Sequence, residues 1–64
     1  MIKINGEYVE IDRVTLAEFL ESSNYSIGKI AVEINGEIVP KSRYSETVLC
    51  DGDEIEVVSF VGGG

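Results

Sequence analysis

Apolar and polar residues alternate at the start of the chain, with a single interruption. Ile2-Lys3-Ile4 and Glu7-Tyr8-Val9-Glu10-Ile11 are period-two runs joined by Asn5-Gly6. Asn-Gly supplies the left-handed residue pair that a tight hairpin turn requires, so the pattern predicts a β-hairpin. Ile2, Ile4, Val9 and Ile11 would face the core, with Lys3, Tyr8 and Glu10 on the opposite side.

The period then changes. Thr15-Leu16-Ala17-Glu18 has the spacing of a capping box, in which the Thr15 hydroxyl and the Glu18 carboxylate each satisfy an orphaned backbone N–H. A helix is predicted from there, with Val14 and Phe19 placed for a hydrophobic staple. Leu16, Phe19 and Leu20 share one helical stripe, while Glu18 and Glu21 face water. The helix should end near Ser23-Asn24, since Asn tolerates the left-handed closing conformation, and Gly28 should release the chain soon after.

A second Asn-Gly pair, Asn35-Gly36, separates Ile30-Ala31-Val32-Glu33-Ile34 from Glu37-Ile38-Val39. Pro40 stops the latter strand or marks it as an edge. Lys41 to Val48 lacks a clean period and is read as holding a short helical turn, with Tyr44, Val48 and Leu49 against the core. Asp51-Gly52-Asp53 is a turn, and residues 54–61 are the last strand. Alternation along that strand puts Ile55, Val57, Ser59 and Val61 on one face and Glu54, Glu56, Val58 and Phe60 on the other. With Ile55 and Val57 aimed at the helix, Val58 and Phe60 emerge on the open face of the sheet as a partner-docking patch rimmed by carboxylates. A strand buried on both faces, or a bulge turning Phe60 inward, fits the same letters.

The elements describe an α+β domain. At 64 residues the chain is one domain, and a domain of that size hides only about 60% of the surface its unfolded chain exposes. A hydrophobic content of 44%, with one proline, still indicates a folded globule. Twelve acidic residues against five basic ones give a formal charge of −7. That charge opposes binding to nucleic acid or anionic lipid; it suits a basic partner surface, and it equally keeps a small protein soluble. No apolar run approaches the roughly 18 residues needed to cross a bilayer. A start without signal-peptide features and a lone Cys50 lead to the expectation of a cytoplasmic protein.

Candidate chemistry narrows quickly. With no histidine and one cysteine, the chain cannot assemble Ser-His-Asp or Cys-His catalysis, a zinc site of ordinary ligand count, or a four-thiolate iron–sulfur cluster. Nothing marks two of the carboxylates as flanking a cleft, so solvated charge is the better reading of them. Cys50, after Val48-Leu49, is expected to be a small buried filler, and Asp51 and Asp53 beside it disfavour a thiolate. No catalytic residue, metal or bound cofactor is therefore expected.

The end of the chain, Gly62-Gly63-Gly64, offers something else. Lacking Cβ atoms, it can thread a narrow channel in another protein, and when extended it carries the terminal carboxylate about 10 Å beyond Val61. Adenylation by ATP would give that carboxylate a good leaving group, and a sulfur nucleophile could then displace AMP and leave a thiocarboxylate. A frayed or linker-derived end has the same composition. The chain thus divides into a domain over 1–61 and a flexible tail over 62–64.

The order hairpin, capped helix, hairpin, turn, strand and glycine end resembles the β-grasp fold of ubiquitin-like proteins. That resemblance implies a mixed sheet of about four to five strands with the helix packed on one face. Residues 32–40 (Val-Glu-Ile-Asn-Gly-Glu-Ile-Val-Pro), the turn at 51–55, and the closing Val58-Ser59-Phe60-Val61-Gly62-Gly63-Gly64 look like the sulfur carriers of thiamine biosynthesis, the ThiS family. The likeness spans essentially the whole chain. It implies that an ATP-dependent, ubiquitin-activating-like adenylyltransferase acts on Gly64, that a sulfur donor enzyme makes the thiocarboxylate, and that thiazole synthase accepts the sulfur. Gly63 and Gly64 match the diglycine motif, with Gly62 before it, and Val58 and Phe60 fall in the docking surface. Carriers for molybdopterin or tRNA thiolation share this terminus, as do protein modifiers. A plain interaction module remains the reading from another class.

Overall fold

The computed structural model describes residues 1–11 and 13–60. Its first hairpin pairs β1 (Ile2–Ile4) with β2 (Glu7–Val9) in antiparallel register, Ile2 opposite Val9 and Lys3 opposite Tyr8. The turn is built as the Asn-Gly pair demands, with φ of 48° at Asn5 and 86° at Gly6. Ile2 and Ile4 are buried, and Val9 and Ile11 pack against the same core.

Helix α1 (Leu16–Ser22) begins on the predicted capping box. The Glu18 N–H donates to the Thr15 hydroxyl at 3.1 Å, and the Thr15 N–H donates to the Glu18 carboxylate at 2.9 Å. Leu16 and Leu20 are fully buried, with Ala17 and Phe19 at the margin of the core. The helix closes at Ser23, followed by Asn24 at φ 63°. Gly28 does not simply release the chain, because it sits within a 3₁₀ turn over Ile27–Lys29.

The second hairpin pairs β3 (Ile30–Ile34) with β4 (Glu37–Val39) across Asn35-Gly36. β4 stops before Pro40, and a 3₁₀ turn, Lys41–Arg43, follows. The next segment runs extended beside the helix start, where the Leu16 N–H reaches the Thr47 carbonyl at 2.7 Å and the Leu49 N–H reaches the Val14 carbonyl at 2.9 Å. Side chains of an extended segment alternate. Leu49 therefore points inward and its neighbours point out, which corrects two expectations. Val48 is 50% exposed rather than tucked against the core, and Cys50 is exposed rather than buried filler. Tyr44 and Leu49 are buried as expected.

β5 (Glu54–Ser59) runs antiparallel to β3 and parallel to β1, giving one five-stranded mixed sheet in the order β2-β1-β5-β3-β4. The last strand in sequence is thus the middle strand in space. It ends at Ser59 because its partner there, Ile30, is the first residue of β3. The Phe60 N–H still reaches the Lys29 carbonyl at 2.8 Å. The predicted continuation to Val61, and the tail Gly62-Gly63-Gly64, lie outside the described residues. Ile2, Leu16, Leu20, Val32, Leu49 and Ile55 form the driest part of a core that joins one face of the sheet to α1.

Candidate functional site

Among the described residues no helix covers the other face of the sheet, and β5 shapes its middle. Ile55 and Val57 are buried on the helix side, so alternation sends Glu54, Glu56 and Val58 outward. Val58 is 56% exposed and Phe60 is 46% exposed. The strand is central yet open on one face. Ala31 stands opposite Val58 on β3, and its single methyl leaves the Val58 side chain uncovered.

Across this face the character changes from row to row. Tyr8, Lys3 and Glu54 lie in line across β2, β1 and β5. The Lys3 ammonium sits 3.9 Å from a Glu54 oxygen and 5.5 Å from the Tyr8 ring centroid, which neutralises that row locally. Further along, Glu56 stands opposite Glu33, and Glu33 opposite Ile38, itself 69% exposed. Two like charges directly opposite one another disfavour the pairing of their strands, and no cation is paired with either among the described residues. Val58 and Phe60 follow at the C-terminal end of the described strand. The surface is therefore apolar at its tip and acidic behind it, which suits a partner with an apolar contact ringed by basic side chains.

Val58 and Phe60 are both accessible on this face. Gly62, Gly63 and Gly64 lie outside the described residues. Cys50 is not brought near the tip, because β5 separates it from Phe60 by about 20 Å of extended chain. The two groups with shifted acidity also lie elsewhere. The chain's N-terminal ammonium donates to Asp51 and, by that bond and its charge, holds the carboxyl below the usual carboxylate range. Burial raises the phenol of Tyr44. Among the described residues no three His, Cys, Asp or Glu side chains gather as a metal site. The periodicity did not single out Ile38 as part of this face; the only signal was its position opposite Glu33 in the second hairpin.

The family model for ThiS matches residues 2–64, spanning every element described above and the glycine end. The chain belongs to the ThiS family. Among curated relatives, the sulfur carrier protein ThiS of Bacillus subtilis (strain 168) is 44% identical over 66 residues, covering all of both chains. A thiazole synthase of Paramagnetospirillum magneticum is 44% identical over 62 residues, which is 95% of this chain but 19% of that protein. A ThiS-like stretch is thus built into a much longer thiazole synthase. In three dimensions the crystal structure of the thiamine biosynthesis protein ThiS from Geobacter metallireducens superposes with a TM-score of 0.83 at 28% identity, covering 98% of this chain and 97% of the other. The sheet and helix are those of the ubiquitin-like β-grasp fold, as the ThiS resemblance implied.

Proposed function

We propose that this chain is the sulfur carrier for thiazole formation in thiamine biosynthesis, and that its reactive group is the Gly64 carboxylate. The observation that carries the reading is the family match reaching residue 64, together with full-length similarity to a sulfur carrier protein of another organism. A carboxylate oxygen of Gly64 attacks the α-phosphorus of ATP in the active site of a ubiquitin-activating-like adenylyltransferase, and pyrophosphate leaves. A sulfur donor enzyme supplies the nucleophile that displaces AMP from the acyl-adenylate, leaving a thiocarboxylate. On thiazole synthase the sulfur passes to the acceptor, and attack of water on the acyl carbon cleaves its bond to that sulfur and restores the carboxylate.

In this scheme the domain acts as a co-substrate. It supplies no general acid, base or metal, and the ATP belongs to the partner. Glycines suit the reactive end because a side chain there would crowd both the adenylation and the sulfur transfer. Val58 and Phe60 dock the partner, with Glu33 and Glu56 selecting a basic surface around the contact. Similarity to part of a longer thiazole synthase supports that enzyme as the acceptor, since joining carrier and acceptor in one chain raises the effective concentration of one at the other.

Deleting Gly64, or appending one residue after it, is expected to abolish ATP-dependent adenylate formation by the cognate activating enzyme while the circular dichroism spectrum stays unchanged. Adenylation of the shortened chain at the wild-type rate would defeat the carrier reading. Intact-mass measurement on protein from its native host gives an independent check, because the loaded carrier has exchanged one oxygen for sulfur.

A further inference from the structure

β1 is too short to accompany β5 to its end. The paired register stops with Ile4 opposite Ile55. The last backbone bond between them runs from the Asn5 N–H to the Ile55 carbonyl at 2.9 Å. There the chain turns away through Asn5 and Gly6, both at positive φ, and no β1 backbone remains to meet Val57.

The Asn5 side chain fills that place. Its Oδ1 accepts from the Val57 N–H at 2.8 Å, and its Nδ2 donates to the Val57 carbonyl at 3.3 Å. A carboxamide carries the same donor and acceptor as a peptide group, so it adds one rung to the ladder after the backbone has left. The orientation of the amide follows from its partners, since the Val57 N–H can only donate and its carbonyl can only accept. Beyond this rung β5 stands free of β1, beside a cavity of about 480 Å³ lined in part by Lys3, Asn5, Glu56 and Val58.

The second Asn-Gly turn grips the same strand at its other end. The Asn35 backbone N–H donates to the Glu54 carbonyl at 2.8 Å, its Oδ1 accepts from the Glu54 N–H at 2.9 Å, and its Nδ2 reaches Asp53 Oδ1 at 3.1 Å. Asn35 holds the start of β5 from the β3 side. Asn5 holds it from the β1 side at the residue before Val58.

We propose that Asn5 is a positioning residue, whose carboxamide forms the last rung between β1 and β5 and so sets the direction in which Val58, Phe60 and the chain end are offered to the activating enzyme. What is offered rests on the carrier reading above. The rung itself rests on the geometry at Val57.

Asn5→Gly is the decisive variant, because glycine accepts the left-handed turn conformation and deletes only the carboxamide. Asn35→Gly makes the same change in the other turn and controls for the added freedom of the unfolded chain. Amide exchange read by NMR and steady-state adenylation with the cognate activating enzyme, varying the carrier, give two readouts. In Asn5→Gly, protection at Val57 is expected to fall about tenfold relative to Ile55 and Val32, as the loss of its hydrogen bonds implies. The KM for the carrier rises about threefold to tenfold with kcat unchanged, the signature of lost uniform binding. Asn35→Gly keeps the wild-type Val57 protection and KM. Asn5→Asp, which retains the acceptor for the Val57 N–H but loses the donor to its carbonyl, falls between. Unchanged protection at Val57, or an equal loss across all strands, overturns the rung; lost protection with an unchanged KM overturns the positioning role. A wild-type chain that the activating enzyme does not adenylate at all overturns the carrier reading instead, and the presentation claim with it.

Discussion

Glu33 and Glu56 face each other across β3 and β5, and among the described residues no cation pairs with either. Replacing one by lysine tests the pair. Glu56→Lys turns an opposed like-charge pair into a cross-strand ion pair, worth roughly 0.2–1 kcal/mol to the sheet. The melting temperature should rise by about 1–8 °C in a domain this small. If the proposed docking holds, binding to the activating enzyme should weaken, because one of the two carboxylates proposed to select a basic surface has changed sign. Thermal melts and a binding titration, run at the same ionic strength, check both directions. A variant that is stabilised and still binds at full strength would remove the open face from the docking surface. At this scale the chain was unevenly legible. Val58 and Phe60 could be placed from a period of two once Ile55 and Val57 were aimed at the helix. Val48 and Cys50 could not, since the segment before them has no clean period and its phase is set by bonds to Val14 and Leu16 that lie far off in sequence. Asn5 was read correctly as a turn residue, but the reach of its amide to Val57 depends on a parallel pairing that no local pattern announces.

The elements themselves were largely readable, because each carries its own punctuation. Both Asn-Gly pairs form the tight turns predicted of them, and the capping box starts α1 where the sequence places it. The helix has only seven residues, too few to persist alone in water. Its cap and its packing therefore matter more than its propensity. Thr15→Ala removes the hydroxyl that accepts from the Glu18 N–H and is expected to cost about 1 kcal/mol, read as a lower midpoint in urea with an unchanged slope. The backbone bridge between Thr15 and Val48 survives that substitution, so a much larger loss would show that the cap also holds the extended segment after Tyr44. Less readable was the order in space. Nothing in the spacing of apolar residues says that β5 inserts between β1 and β3; the likeness to β-grasp proteins implied a mixed sheet, and the place of β5 is seen only in the sheet order.

Taken whole, the molecule is an acidic β-grasp domain of the ThiS family in which, among the described residues, Tyr44 is the buried ionisable group. Tyr44 is 4% exposed, and burial raises its phenol above the ordinary tyrosine value because the charged form would have to be desolvated. A group whose acidity is weakened in the folded state favours folding below its unfolded pKa, near pH 10, and that contribution is lost as pH rises through the folded value. Stability should therefore fall in strongly alkaline solution more steeply than exposed tyrosines would produce. Tyr44→Phe should flatten the decline while leaving stability near neutrality little changed. Denaturant titrations on both proteins at neutral and at alkaline pH decide it, and parallel alkaline losses in the two would assign the effect to other groups.

The position of β5 between two neighbours has a mechanical consequence. An enzyme that seizes the chain end and draws on it would load this strand lengthwise, and the bonds to β1 on one flank and β3 on the other lie across that direction. Such bonds must yield together rather than one at a time. A load along the last strand is thus shared by two neighbours at once, whereas a load on either outer strand would peel it from its single partner.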